Sequence, residues 1–286
     1  MPTLLDFRRR IRSVKNTQQI TRAMKFVAAA RLRRAQDKVI ALRPYAKALR
    51  EVLRSAVSRV EDPLQHPLLA RRPEDRLLVV VTAGERGLCG AFNANILRLA
   101  MGFLAEHGEK SIEVVTLGKK SRDALSKTPQ KIAAEFADVT ALADWTKARE
   151  IALLLMARYE AGETDAVYLI YNEFKSVLAP THRIERLLPI EAERDSAAAP
   201  QVDYLYERSA AEIFRTLLPR YVEMQVYRML AESSAAEHAA RMTAMDSATR
   251  NASDVIDQLT LYMNKVRQAA ITKEIIEVIS GATSSD

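Results

Sequence analysis

Apolar residues recur at alternating intervals of four and three along the first part of the chain. In the series that begins at Phe7, eight of eleven positions are apolar. This spacing is typical of a coiled-coil seam, so it predicts a long helix that packs along a partner helix. The eleven positions are Phe7, Ile11, Val14, Gln18, Thr21, Lys25, Ala28, Leu32, Ala35, Val39 and Leu42.

The three polar members of this series are consecutive and lie between Gln18 and Lys25. Beside them Ile20, Met24 and Val27 carry an apolar stripe one step around the helix. Two interpretations are open. Either a 3.6-residue helix drifts against a 3.5-residue repeat, or this stretch meets something besides its coiled-coil partner.

The last part of the chain shows the same alternation. It runs without a break through Met245, Ala248, Ala252, Val255, Leu259, Tyr262, Val266 and Ala269. Beyond it, apolar residues lie on more than one face of the predicted helix, which predicts a tip enclosed by other protein. These tip residues are Ile271, Ile275, Ile276, Val278 and Ile279.

Both ends lack the residues that break helices. No Gly or Pro occurs from Thr3 to Arg43 or from Arg220 to Ser280. At 1.5 Å per residue these stretches allow helices of roughly 60 Å and 90 Å. Helices of this length need an apolar partner, so we expect the two ends to pair as an antiparallel coiled coil. Pro219 marks either the start of the second helix or a kink in it.

The middle of the chain alternates between strand and helix patterns, which predicts a central α/β, Rossmann-like domain. The predicted strands are 77–82, 112–117 and 166–171, with an edge strand at 181–187, and the predicted helices are 93–106 and 145–160. A loop at Ser196–Pro200 would return the chain to the long helices. The predicted division is 1–60 for the first helix, 61–208 for the central domain and foot, and 209–286 for the last helix.

Composition narrows the class of protein. The longest apolar run, from Ile151 to Ala157, is far short of the roughly 20 residues that a membrane-spanning helix needs. The first residues show no secretory signal. The single cysteine, Cys89, excludes an intrachain disulfide and fits a reducing compartment.

Positive charge is concentrated in the first helix. Residues 1–50 carry 14 Lys and Arg against two acids, whereas the whole chain has a net charge of only +7. A basic helix beside a mildly acidic body predicts an acidic partner, such as nucleic acid, anionic lipid or an acidic protein surface. A solvated basic face is the alternative.

The chain has no recognisable catalytic spacing. Gly84, Gly87 and Gly90 follow a strand, but their spacing matches neither a dinucleotide fingerprint nor a P-loop, so a tight turn is favoured. Cys89 has no neighbouring His, and the four histidines do not form a metal-ligand motif. Carboxylates such as Asp246, Asp254 and Asp257 are interpreted as solvated or paired with the basic first helix. We therefore expect no cofactor, no metal and no catalytic residue.

Several segments resemble the γ subunits of F-type ATP synthases. The run from Arg267 to Ala282 is similar to the signature of that family, with Ile271, Thr272, Glu274, Glu277, Gly281 and Ala282 filling its pattern. The run from Ile11 to Ala30 looks like the first helix of the family. Shorter matches are Gly87–Gly90, Asp203–Glu207 and Arg241–Asp246. The resemblance covers the whole chain.

This resemblance implies a rotor rather than an enzyme. In the family, the terminal helices form a left-handed antiparallel coiled coil inside a hexamer of α and β subunits. The α/β domain sits below, against the ε subunit, and a foot rests on the membrane c-ring. Ion flow turns the ring and the shaft, and ATP is made or hydrolysed on β. One copy per complex is implied.

The resemblance also implies roles for individual residues. Contacts with the β subunits are implied for Arg267, Gln268, Met24, Arg8, Arg9, Lys15, Arg22 and Lys25. The bearing tip would be Ile271, Ile275, Ile276, Val278 and Ile279. The foot on the c-ring would use Arg43, Tyr45, Tyr204, Tyr206 and Glu207.

The absence of a transit peptide favours a bacterial complex at the cytoplasmic face of the inner membrane, with the chain attached peripherally. A processed organellar chain is the alternative. Two other classes stay open from the residues alone. These are a basic coiled-coil protein that binds nucleic acid, which the resemblance disfavours, and a dinucleotide-dependent enzyme that uses the middle domain.

Overall fold

The computed structural model describes residues 3–58, 66–140, 143–176, 180–190 and 210–283. The chain divides into two compact units. The first contains residues 1–28 and 242–286, and the second contains residues 29–241. Both terminal helices therefore contribute residues to both units.

The described residues form five α-helices and five strands. In chain order they are α1 (Leu4–Ser58), β1 (Arg76–Thr82), α2 (Phe92–Glu106), β2 (Ser111–Leu117), α3 (Lys119–Leu125), β3 (Lys131–Phe136), α4 (Trp145–Glu160), β4 (Ala166–Phe174), β5 (Pro180–Leu188) and α5 (Ala210–Thr283). The predicted fold class, with two long terminal helices and a central α/β sheet, is confirmed.

Prolines lie inside both long helices. Pro44 lies within α1, and Pro219 lies within α5, nine residues after its first residue. The prediction that Pro219 might start the second helix was therefore wrong. A proline inside a helix costs about 3 kcal/mol. Burial of Phe214, Leu218 and Val222, which share one face at intervals of four, offsets that cost.

The sheet has the strand order β3-β2-β1-β4-β5. The first four strands in this order are parallel, and β5 pairs antiparallel with β4. The central strand β1 is buried from Leu77 to Thr82, as expected for a strand covered on both faces. On one face, Leu77, Val79 and Val81 pack with residues of α2 such as Ile96 and Phe103.

The other face of the sheet meets α5, and this contact is partly polar. The hydroxyl of Thr82 lies 3.5 Å from the sulfur of Met229. Arg228 forms an ion pair with Glu185 of β5 at 2.7 Å. Every residue from Val222 to Ala239 is buried or half-buried, and four of them are charged, namely Glu223, Arg228, Glu232 and Glu237. This part of α5 is therefore enclosed rather than amphipathic.

The sequence did not predict two elements, α3 and β3. α3 has only seven residues, and its buried residues are Ser121 and Leu125. β3 is an edge strand with only half-buried and exposed positions, so it lacks the apolar run that marks a central strand. The six elements predicted in the middle of the chain are confirmed, with ends that differ by no more than three residues.

The structure does not test two of the predictions. The Ser196–Pro200 loop lies outside the described residues. The division at 1–60, 61–208 and 209–286 stays a prediction, although all five strands fall within its central segment.

Candidate interaction surfaces

The first helix begins at a capping box. The Asp6 carboxylate accepts hydrogen bonds from the Thr3 backbone nitrogen at 2.9 Å and the Thr3 hydroxyl at 2.8 Å. The Thr3 hydroxyl in turn accepts from the Asp6 nitrogen at 3.3 Å. These bonds hold the pKa of Asp6 below its ordinary value. They define where the helix starts, and so how far the basic helix extends.

The seam predicted for α1 is confirmed in full. All eleven positions from Phe7 to Leu42 are buried or half-buried, including the three polar ones. By contrast, Ile20 and Val27 are 60% and 53% exposed. The neighbouring apolar stripe therefore does not replace the polar stretch in the seam. Helical drift does not explain why polar residues occupy these seam positions. Ile20 and Val27 therefore lie outside the seam.

The polar stretch of the α1 seam meets polar residues of α5 within the first unit. The hydroxyls of Thr21 and Thr249 lie 2.9 Å apart, and Lys25 Nζ lies 2.5 Å from Asp246 Oδ1. The bond from Lys25 holds the pKa of Asp246 below its ordinary value. As α1 advances from residue 21 to residue 25, its partner retreats from 249 to 246, so the two helices are antiparallel here.

The interpretation of the acidic residues on the last helix is also confirmed. Asp246 is paired with the basic first helix, whereas Asp254 and Asp257 are exposed. Arg250 adds a second ion pair to Asp246 at 3.1 Å. Lys25 is thus engaged inside the unit, and a contact with a further partner would have to share or replace its bond to Asp246.

The seam predicted for α5 is only partly correct. Five of the eight predicted positions are buried or half-buried, namely Met245, Ala248, Ala252, Leu259 and Val266. The other three, Val255, Tyr262 and Ala269, are exposed. Their places are taken by the half-buried residues one position later, namely Ile256, Met263 and Ala270. From Ala252 onward these buried and half-buried positions still alternate at four and three, so the seam shifts once, where a step of four to Ile256 replaces the predicted step of three to Val255.

The apolar tip of α5 lies beyond the start of α1. Counting equal steps outward from the Thr21–Thr249 contact, the first residue of α1 lies opposite about residue 266. The five apolar tip residues follow this point and are 48–72% exposed. By this count the tip extends past the first residue of α1. Arg267 and Gln268, both exposed, lie where the pairing ends.

The remaining residues predicted to contact β subunits differ in accessibility. Arg8, Arg9, Lys15 and Arg22 are exposed, and Met24 is half-buried. Two exposed apolar residues that the sequence did not single out, Phe26 at 61% and Leu261 at 58%, also lie in the first unit. Their exposure could not be read from the sequence, because an apolar residue on a long helix is as compatible with a seam as with a free face.

The residues predicted for the foot are placed only in part. Arg43 donates to the backbone oxygen of Phe174 at 3.4 Å, and Tyr45 is 55% exposed. Tyr45 lines an open groove of about 340 Å³ with Leu42, Trp145, Arg220, Met224 and Tyr227. Tyr204, Tyr206 and Glu207 lie outside the described residues.

The Gly84–Gly90 turn is tied to the helices around it. The Gly84 nitrogen donates to Asn93 Oδ1 at 2.8 Å, and Arg241 of α5 donates to the Gly87 oxygen at 3.4 Å. Burial raises the pKa of the Cys89 thiol, so this cysteine is a poor nucleophile. The interpretation of this segment as a tight turn is confirmed. Its amide at Gly84 is already used, which argues against a phosphate cradle.

A metal site and a membrane-spanning helix both need features that the described residues lack. Within these ranges, no three His, Cys, Asp or Glu side chains are grouped so that they could hold a metal ion. None of the described helices has the length and apolar content needed to cross a membrane.

Comparisons with known proteins agree with the resemblance. A family model described as ATP synthase matches residues 3–284. The ATP synthase gamma chain of Solibacter usitatus is 53% identical, and the alignment covers 100% of both chains. That of Chlorobaculum parvum is 47% identical over 99% of this chain and 98% of the relative.

Solved structures with the same fold include chains of two mitochondrial ATP synthases. A chain from the central stalk and c-ring of the Tetrahymena thermophila mitochondrial ATP synthase aligns with a TM-score of 0.59 and 25% identity, covering 80% of this chain and 99% of that one. A rotor chain of the Euglena gracilis mitochondrial enzyme aligns with a TM-score of 0.64 and 19% identity, covering 94% and 98%. The chain belongs to the ATP synthase gamma chain family.

Proposed function

We propose that the chain is the central-stalk rotor subunit of an ATP synthase. It would couple ion flow through a membrane c-ring to ATP synthesis or hydrolysis on the β subunits by turning inside the α/β hexamer. Residues 1–60 and 209–286 would form the shaft, and residues 61–208 the domain and foot at its base. The names of the relatives and the titles of the aligned structures support this role.

The observation that carries the proposal is the exposed apolar end of α5. Five large apolar side chains between Ile271 and Ile279 are 48–72% exposed. Monomeric soluble proteins rarely expose such patches unless another protein or a membrane covers them. An apolar sleeve at the top of the hexamer would enclose this tip and let it turn.

The charge on the shaft fits acidic surroundings. Arg8, Arg9, Lys15 and Arg22 point into solvent along the first helix. A charge-assisted contact is stronger than a neutral one, so Arg267 would be the strongest contact with an acidic loop of β, with Gln268 beside it. Met24 and Lys25 would lie near the same contact. Arg43, Tyr45, Tyr204, Tyr206 and Glu207 would meet the c-ring.

The proposal assigns no chemistry to this chain. ATP would be made or hydrolysed on β, and this subunit would be non-catalytic and present once per complex. Its partners would be the α and β subunits, the ε subunit and the c-ring. We place it peripherally at the cytoplasmic face of a bacterial inner membrane, without a cofactor and without nucleic acid.

Co-purification tests the proposal directly. The tagged chain, expressed with α, β and ε subunits of the same organism, is expected to pull down all three and to give a complex with ATPase activity. The isolated chain should give no binding heat with ATP or NAD. Failure to associate with α and β, together with duplex DNA binding that falls steeply with salt, would instead support a nucleic-acid protein.

Replacing Arg267 with alanine is expected to lower ATP synthesis more than the yield of assembled complex. The side chain is exposed, so its loss leaves folding intact, whereas a charged contact on the turning surface would be removed. Proton-driven ATP synthesis in vesicles, normalised to assembled complex, measures the effect. Arg12→Ala, at another exposed arginine of the first unit, is the matched control. An unchanged synthesis rate for Arg267→Ala would refute this role.

A further inference from the structure

The buried part of α5 carries three buried glutamates. Glu223, Glu232 and Glu237 are each only 4–5% exposed. A buried carboxylate is costly unless a cation or a hydrogen-bond donor compensates its charge. Two of the three are compensated by arginines. Glu223 accepts from Arg149 at 3.3 Å, and Glu237 accepts from Arg241 at 2.7 Å.

Glu232 differs from Glu223 and Glu237, which are both ion-paired with arginine. Its Oε2 atom is buried and has no hydrogen-bond partner within the described part of the chain, and the same is true of Glu223 Oε2, which however lies 3.6 Å from Arg220 Nη1. One helical turn before Glu232, the Nε atom of Arg228 is also buried without a partner. Residues at i and i+4 lie side by side on one helix face. An unused donor and an unused acceptor are therefore neighbours on α5.

Arg228 is instead engaged with the sheet. Its Nη2 atom donates to both carboxylate oxygens of Glu185 on β5, at 2.7 Å and 2.8 Å. The Tyr171 hydroxyl of β4 donates to the same carboxylate at 2.7 Å. These bonds connect α5 to two strands. The carboxylates of Glu185 and Glu232 are thus two possible partners for the Arg228 guanidinium. In this structure the guanidinium is bonded to Glu185.

Charged and titratable groups on four elements surround Glu232. They are Arg228 on α5, Tyr171 and Glu173 on β4, Glu185 on β5 and Arg43 on α1. Glu173 is already paired with Arg183 of β5 at 2.8 Å. Burial raises the pKa of Glu232 to about 7, and the carboxylates of Glu173 and Glu185 add to the rise, which Arg228 opposes.

We propose that Glu232 is a proton-binding site that decides which carboxylate Arg228 pairs with. With a proton from solvent on Glu232, Arg228 stays on Glu185 and ties α5 to β5. When Glu232 releases that proton to solvent, its carboxylate competes for the Nε atom of Arg228 and loosens the tie to the sheet. The device belongs to the chain itself and does not depend on the rotor role.

The sign of the pH effect follows from the pKa of Glu232. In the folded chain it is about 7, against an ordinary value of 4.5. Between these values the folded chain holds a proton that the unfolded chain has released. The stabilising contribution is therefore complete below pH 4.5 and is lost as the pH rises through 7. The tie between α5 and β5 should weaken over the same range.

Titration of the glutamate side chains tests the proposal in the full chain. In carbon-13 NMR of the glutamate carboxyls, one resonance should titrate near pH 7, and it should be absent from Glu232→Gln. The thermal midpoint of the unmodified chain should fall by a few degrees between about pH 5.5 and about pH 8, and Glu232→Gln should remove most of this fall. The matched control is Glu237→Gln, at an equally buried glutamate that is paired with arginine, and it should keep the fall.

A second variant tests the competition for Arg228. In Glu185→Gln the arginine loses its charged partner on the sheet and is expected to turn to Glu232. The midpoint of the Glu232 resonance should then drop by at least about one pH unit, since a cation within hydrogen-bond distance favours the ionised form. A Glu232 midpoint near 4.5 in the unmodified chain would overturn the proposal, as would an unchanged midpoint in Glu185→Gln.

Discussion

Replacing Gly118 with alanine is expected to lower the free energy of unfolding by more than about 3 kcal/mol. Gly118 lies at φ +94° and ψ 151°, a region that residues with a Cβ atom scarcely occupy. A Cβ atom placed there would lie 2.2 Å from the backbone oxygen of Ala83. The ends of β1 and β2 would have to separate, although the Ala83 nitrogen donates to the oxygen of Leu117 across them. Denaturant unfolding followed by circular dichroism measures the loss.

Gly102→Ala is the matched control for this substitution. Gly102 lies inside α2, and a Cβ atom there would meet nothing within 4 Å. Alanine at this position should raise the free energy of unfolding by about 0.5–1 kcal/mol, because glycine loses more backbone entropy in a helix. Equal and small effects at both positions would show that the turn after β2 tolerates a side chain.

Replacing the five apolar residues of the tip with glutamine is expected to lower the yield of complex with α and β subunits at least about tenfold. Burying an isoleucine contributes about 1.5–3 kcal/mol, so an enclosed tip would lose several kcal/mol of binding free energy in total. The stability of the isolated chain should change little, since all five side chains are exposed. Yields after co-expression and thermal unfolding of the isolated chain measure the two effects.

The control for the tip uses exposed apolar residues of the second unit. Leu153 and Ile184 are 48% and 38% exposed, and their replacement by glutamine should leave the complex yield unchanged. If the substituted tip gave a normal yield and normal ATP synthesis, the tip would not be an enclosed bearing. The exposed apolar tip would then no longer support the rotor proposal.

Local sequence patterns were sufficient to predict the long helices and most strands of the sheet. The register of α1 follows from one repeating apolar stripe, which placed its apolar members in the seam. The place of its polar members, such as Thr21 and Lys25, stayed open until the structure showed them buried or half-buried. In α5 every second predicted seam position after Ala252 was wrong, because this helix carries apolar residues on several faces and the pattern does not choose between them. β3 was missed because an edge strand needs only one covered side, and its sequence accordingly alternates weakly.

The pairing of charged groups could not be derived in the same way. The spacing of Arg228 and Glu232 favours an ion pair along one helix. The structure instead gives Arg228 to Glu185, because β5 brings a second carboxylate within 2.7 Å of the guanidinium. In the same way, Asp246 could be assigned to the basic helix in general, but its bond to Lys25 required the antiparallel register of the two helices.

The amino-acid sequence by itself determined where the chain is helical, where it is extended and which residues of α1 face a partner. Those properties depend on interactions between neighbours in the chain and on a period that repeats along it. The tertiary structure decided which side chains from distant segments share a buried site and which apolar residues stay exposed. Burial removes the solvent that would compensate each charge separately, so the identity of the nearest partner then governs pairing and protonation.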